Sequence, residues 1–225
     1  LCPLGMSAGD FDLVVDPHDG KAYYYFERVH RELICADLTP DCTDVTGHYS
    51  THFPFAVAPY VREAPAHFTR HGLHYLITSG LSGYLPNASL VGTAPSYHGP
   101  WTIIGDPHPN DASRTSYCTQ VTSVFKHPHK RDLYIALADR WIPDLPACGD
   151  DFASGRNARG IAAVTAKSQD PAGRWGSAHE YDAGSLPPQV IDALINIRGV
   201  NTSISDYVWL PVRFEGDMAY LDWQD

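Results

Sequence analysis

Short runs of alternating apolar and polar residues, broken by turns containing glycine or proline, set the pattern of this chain. Val61-Arg62-Glu63-Ala64-Pro65-Ala66-His67-Phe68 places a carboxylate among apolar residues at the start of a run. It turns at His71-Gly72 and returns as the aromatic-rich Leu73-His74-Tyr75-Leu76-Ile77. Runs of this length bounded by turn residues predict strands. The same unit occurs three times. Asp10 opens Asp10-Phe11-Asp12-Leu13-Val14-Val15-Asp16, which turns through Pro17-His18-Asp19-Gly20 into Tyr23-Tyr24-Tyr25-Phe26. Gln120 opens Gln120-Val121-Thr122-Ser123-Val124-Phe125, which turns through His127-Pro128-His129-Lys130 into Leu133-Tyr134-Ile135-Ala136-Leu137. From the leading polar residue to the tyrosine of the return strand the offsets are 13 (10 to 23), 12 (63 to 75) and 14 (120 to 134). Between units the spacings are 53 (10 to 63) and 57 (63 to 120). A recurrence of that period with several short strands per unit predicts an all-β chain of propeller blades. Each blade offers one polar side chain, Asp10, Glu63 or Gln120, from its innermost strand to a shared axis.

A carboxyl group in the apolar setting of Glu63 is expected to hold its proton, because desolvation disfavours the charged form. That is the property of a general acid. Several motifs then carry a resemblance: Arg62-Glu63-Ala64-Pro65-Ala66, Thr78-Ser79-Gly80-Leu81-Ser82-Gly83-Tyr84-Leu85-Pro86-Asn87, Gly99-Pro100-Trp101, Ala138-Asp139-Arg140-Trp141 and Tyr207-Val208-Trp209-Leu210-Pro211. In this order they resemble glycoside hydrolase family 43, in the branch containing exo-β-1,3-galactanases. The resemblance spans almost the whole chain apart from residues 142–206.

It implies a five-bladed propeller of which three blades are visible, so the first two are expected upstream of residue 1. It also implies roles. Glu63 matches the proton donor, Asp10 the carboxylate that keeps the donor protonated and oriented, and Gln120 a glutamine that orients the attacking water. Asp12 and Asp16 are the alternatives to Asp10 if the register shifts. Arg62, Tyr84 and Asn87 are the expected sugar contacts, with Tyr84 standing where relatives often carry a tryptophan platform. Asp139 and Arg140 read as an ion pair tying the last blade to the axis.

The resulting organisation is a single domain over 1–225, incomplete at its N-terminus, with blades at about 7–57, 58–105 and 114–225. The third blade is interrupted by the long insertion 142–206, which holds one short helix-like run near Pro188–Ile195. A loop of that length in a compact domain commonly serves a site, a lid or a contact.

A formal net charge of -10 and no cluster of lysine or arginine exclude a nucleic-acid partner. No apolar run is long enough to span a membrane. Thirteen Tyr, eight Phe and five Trp supply rings that can stack on sugar faces, though most are expected in blade cores. The twelve histidines show no metal-binding spacing, so neither metal nor cofactor is expected. Two sequons, Asn87-Ala88-Ser89 and Asn201-Thr202-Ser203, point to glycosylation of Asn87 and Asn201 and to a secreted protein. In that setting Cys35 with Cys42, and Cys118 with Cys148, are the expected disulfides. Cys2 is left over for an upstream segment or another chain.

The functional expectation is a secreted hydrolase that releases galactose from a β-1,3-galactan by acid-assisted, inverting hydrolysis. The alternative is a non-catalytic extracellular scaffold or fibril subunit built on the same propeller.

Overall fold

The computed structural model describes residues 2–29, 31–53, 61–81, 87–112, 114–140 and 205–224. Twelve strands among them form three four-stranded antiparallel sheets, each a meander. The first blade is β1 (Ala8–Val15), β2 (Ala22–Arg28), β3 (Glu32–Leu38) and β4 (Val45–His52). The second is β5 (Arg62–Arg70), β6 (Leu73–Gly80), β7 (Leu90–Ala94) and β8 (Thr102–Gly105). The third is β9 (Gln120–Lys126), β10 (Tyr134–Arg140), β11 (Asp206–Glu215) and β12 (Met218–Leu221). These are the three repeat units read from the sequence. The third blade leaves its sheet after β10 and resumes it at β11, so the insertion falls between its second and third strands; the helix-like run within it lies outside the described residues.

Turn chemistry sets the hairpins. His71 and Gly72 both have positive φ, 52° and 79°, which gives the two-residue β5–β6 turn the twist that matches its strands. In the β1–β2 turn, Asp16 accepts a hydrogen bond from the His18 amide at 2.8 Å and Asp19 one from the Lys21 amide at 2.8 Å.

The blades pack face to face through two dissimilar layers. Between the second and third lie Ala66, Phe68, Ile77, Val124, Leu210 and Leu221, in a cluster of mainly aliphatic groups that also takes in Tyr75 and Tyr134. Burial of each large side chain there contributes about 1.5 to 3 kcal/mol. Between the first and second lie Tyr23, Tyr25, Leu76 and Tyr97 with the free thiol of Cys35. Tyr23 and Tyr97 stack at 3.9 Å, and His67 stacks on Tyr25 at 5.2 Å.

The two outermost faces of the three-blade stack expose large apolar groups. On the first blade Phe11, Leu13 and Val15 project outward from β1, Val15 with 60% of its surface exposed. On the third, Tyr207 and Trp209 of β11 are 76% and 65% exposed, and Phe125 rests edge-on against Trp209.

The cysteine expectation is corrected here. Cys35 lies on β3 in the core against Tyr25, whereas Cys42 sits in the exposed β3–β4 turn, and both are free thiols. A side chain committed to the interior of the sheet does not reach one turned to solvent. Burial also pushes the Cys35 thiol up to about 12, so it stays protonated. Cys2 and Cys118 have no disulfide partner among the described residues, and Cys148, the expected partner of Cys118, lies outside them.

Candidate active site

The innermost strands β1, β5 and β9 lie side by side, one from each blade, and each carries a register shift beside its candidate residue. The shifts fall between Ala8 and Phe11 around Asp10, between Glu63 and Ala66, and on β9 at Thr122, two residues after Gln120 and opposite Leu137 and Ala138. A bulge breaks the strict alternation of faces and re-aims a side chain. At β5 the bulge holds Ala64 at φ 47°, a left-handed conformation that costs a non-glycine residue about 1 to 2 kcal/mol. Pro65 follows, fully buried. It is tolerated because β5 pairs with β6 alone and its other side is a sheet edge.

Glu63 is buried. Removal from water, reinforced by the charges of Glu27 and Asp10 and opposed by Arg62, pushes its carboxyl up to about 9. It is therefore a protonated acid at neutral pH. Asp10 is solvent-exposed at the same end of β1, as a charged neighbour of this acid. The two alternatives to it have structural work: Asp12 accepts the His67 amide of β5 at 2.7 Å, and Asp16 caps its own turn.

Gln120 reaches across from the third blade and donates from Nε2 to Ser79 Oγ at 2.7 Å. Ser79 is the cross-strand partner of Glu63, so the amide and the acid share one corner of the molecule. Asp139 stands opposite Gln120 in the β9–β10 ladder, and burial raises its carboxyl. Its neighbour Arg140 lies over the Trp223 ring at 5.3 Å.

Of the expected sugar contacts, Arg62 is buried and its guanidinium donates from Nε to Thr78 Oγ1 at 2.9 Å, with a second bond to the Thr78 carbonyl. Burial draws it down to about 10, and it serves as the counter-charge beside Glu63. Asn87 is used in a way the sequence did not suggest. Its Oδ1 accepts the Gly80 amide at 2.7 Å and its Nδ2 donates to the Gly80 carbonyl at 2.6 Å. Ser89 of the same sequon is buried against Ser116. In the folded chain that amide is tied to the Gly80 backbone through both its oxygen and its nitrogen. Tyr84 and Asn201 lie outside the described residues.

Sequence reasoning missed Glu27. It is buried at the end of β2, and its carboxylate lies so close to β1 that a Cβ at Gly9 would sit 2.2 Å from Oε2. Glycine at position 9 makes that approach possible. The sequence signal was a lone glycine in a strand pattern beside a carboxylate strand end.

No protein-family model and no curated protein matches the chain. Solved structures do. A family 43 β-1,3-galactosidase complexed with galactodeoxynojirimycin superposes with a TM-score of 0.65 at 25% identity, over 98% of this chain and 47% of its own. An exo-β-1,3-galactanase from Clostridium thermocellum gives 0.63 at 22% identity, over 97% of this chain and 34% of its own. The exo-β-1,3-galactanase of Phanerochaete chrysosporium, solved with galactose, gives 0.62 at 21%, over 97% and 36%. Over nearly its whole length, then, the chain has the fold of a family 43 glycoside hydrolase propeller of the galactanase and galactosidase kind, and spans a third to a half of one.

Proposed function

We propose that this chain supplies the acid side of a secreted glycosidase that removes galactose from a β-1,3-linked galactan. The observation that carries the reading is Glu63: a buried carboxyl held protonated on the innermost strand, with two carboxylates and an orienting amide around it. Cleavage of a glycosidic bond requires a proton on the leaving oxygen, and Glu63 is the donor. Its charged neighbours Asp10 and Glu27 resist formation of a third negative charge and return it to the protonated state after each turnover. Gln120, fixed by Ser79, orients water for attack from the opposite face of the ring. Asp139 beside it is the candidate to take the proton that this water sheds. An inverting route suits such groups when they stand roughly 6.5 to 9.5 Å apart. Polysaccharide substrates meet the enzyme outside the cell, which is the setting we propose for it.

Because the chain spans about a third to a half of the galactosidase and galactanase structures named above, the rest of the sugar pocket is proposed to come from further blades on its outer faces. The test is Glu63→Gln in the protein as it is naturally made. Release of galactose from β-1,3-galactan is expected to fall by about two orders of magnitude or more, with galactan binding and the melting temperature retained. Unchanged turnover sinks the assignment. Asp139→Asn is expected to lower kcat with little effect on KM.

A further inference from the structure

Away from Glu63, on the outer strands of the first blade, Asp37 of β3 and His48 of β4 meet His98, which belongs to the turn before β8 of the second blade. We propose that these three side chains bind a divalent transition cation of the imidazole-preferring kind, zinc foremost, and that the ion clamps the first blade to the second.

One ligand atom from each residue lies within 4.8 Å of the other two. Zinc holds nitrogen and carboxylate oxygen at about 2.0 to 2.2 Å, so atoms around one ion are separated by at most about twice that distance. Side-chain rotation alone closes the gap, and His48 is exposed and free to make it. Two imidazoles and one carboxylate form a donor set suited to zinc, copper or nickel rather than to calcium or magnesium. Water completes the shell from the exposed side.

The groups behind the ligands are already in place. His98 Nδ1 is bonded to Ser50 Oγ at 2.6 Å, and the same oxygen to His52 Nε2 at 2.8 Å. That fixes the imidazole plane and leaves Nε2 aimed at Asp37 Oδ1, 2.7 Å away. A cation at this point replaces the proton that Nε2 and the carboxylate share. The second-rank hydroxyl is the kind of partner that orients histidine ligands in metal sites. Lys21 holds the other carboxylate oxygen at 2.7 Å, which makes Asp37 a one-oxygen ligand. The lysine is itself well exposed and can swing away from an incoming cation.

The turn that presents His98 is rigid. Ser96 Oγ donates to the Gly99 carbonyl at 2.7 Å, and the Gly99 amide donates to the Ser96 carbonyl at 3.0 Å. Gly99 has φ +87°, and a Cβ there would sit 2.9 Å from the Trp101 backbone nitrogen. His48 and His98 stand edge to face with ring centroids 4.8 Å apart.

The experiment titrates the metal-stripped full chain with zinc chloride alone, by calorimetry and by thermal melting. One zinc per chain is expected, with a rise in melting temperature. His48→Ala removes an exposed side chain on which the fold does not rest, and should weaken binding at least tenfold and abolish the thermal shift. Asp37→Asn keeps the side-chain shape and should weaken binding comparably, whereas His129→Ala, in the exposed β9–β10 turn, should leave it unchanged. The absence of stoichiometric zinc in the parent protein overturns the proposal, as does parent-like binding in both His48→Ala and Asp37→Asn.

Discussion

The two layers between blades solve the same packing problem with different chemistry. Between the second and third blades the contact is mostly aliphatic and phenyl: Phe68 stacks on Tyr75 at 4.7 Å and meets Tyr134 and Phe214, and the Tyr134 hydroxyl donates outward to the Thr69 carbonyl at 2.8 Å. Between the first and second, imidazoles join the phenols. There the Tyr25 hydroxyl donates to the Tyr97 carbonyl at 2.6 Å, His67 Nε2 bonds His74 Nδ1 at 3.1 Å, and Asp12 accepts the His67 amide. A dry layer derives its strength from area and volume. A layer that buries imidazoles must also keep their protons and hydrogen bonds in register, so it responds to acid, whereas the cluster between the second and third blades holds no histidine.

The largest effect expected from breaking this contrast is at Phe68. Phe68→Ala opens a cavity in the hydrocarbon layer and should cost about 3 to 5 kcal/mol in urea unfolding at neutral pH, with little change on acidification. Asp12→Ala should cost less, about 1 to 3 kcal/mol, because it strands the part-buried His67 amide without an acceptor.

The third prediction is the pH response itself. Burial holds His67 down to about 3 and His52 down to about 4, below the ordinary value of 6.5. Below pH 6.5 the unfolded chain binds protons that the folded chain refuses, so stability is lost as pH falls from 6.5 toward 4. His67→Gln should flatten that acid limb. An unaltered slope in this variant would show that the layer of rings is not what senses the proton. The smallest effect concerns the corner where all three blades meet. Glu27→Gln removes one negative neighbour of Glu63, lowers the proton affinity of that acid, and should move the basic limb of the pH–activity profile to lower pH while leaving its plateau.

The blades were legible because each hairpin repeats one spacing, and a turn such as His71-Gly72 has a chemistry of its own. Glu63 was legible for a related reason, as a carboxylate in an apolar run that no surface strand needs. Glu27 was not, since a charged residue at the end of Tyr23-Tyr24-Tyr25-Phe26 looks like an ordinary strand terminus until the bulge at Gly9 brings β1 against it. The bulges themselves escape a period-two reading, because an extra residue in one strand is visible only against its partner. Asp139 read as half of an ion pair, and only the β9–β10 register sets it opposite Gln120. Asp37, His48 and His98 are separated by up to 61 residues, so no local spacing could join them. The separation of Cys35 from Cys42 and the backbone bonds of Asn87 were hidden for the converse reason. A pattern in sequence does not say which face of a strand a thiol occupies, or whether a backbone has already claimed an amide.

The open faces at the two ends of the stack differ from each other: three aliphatic and phenyl groups on β1 at one end, Tyr207 and Trp209 on β11 at the other. Contact between copies through them would be head to tail, a type of association that closes only when the rotation per copy divides evenly into a circle. Two copies bring six four-stranded blades, where the resemblance to family 43 implies a ring of five. Copies added through these faces would lengthen the stack without closing it, whereas the further blades proposed above would cover both faces at once.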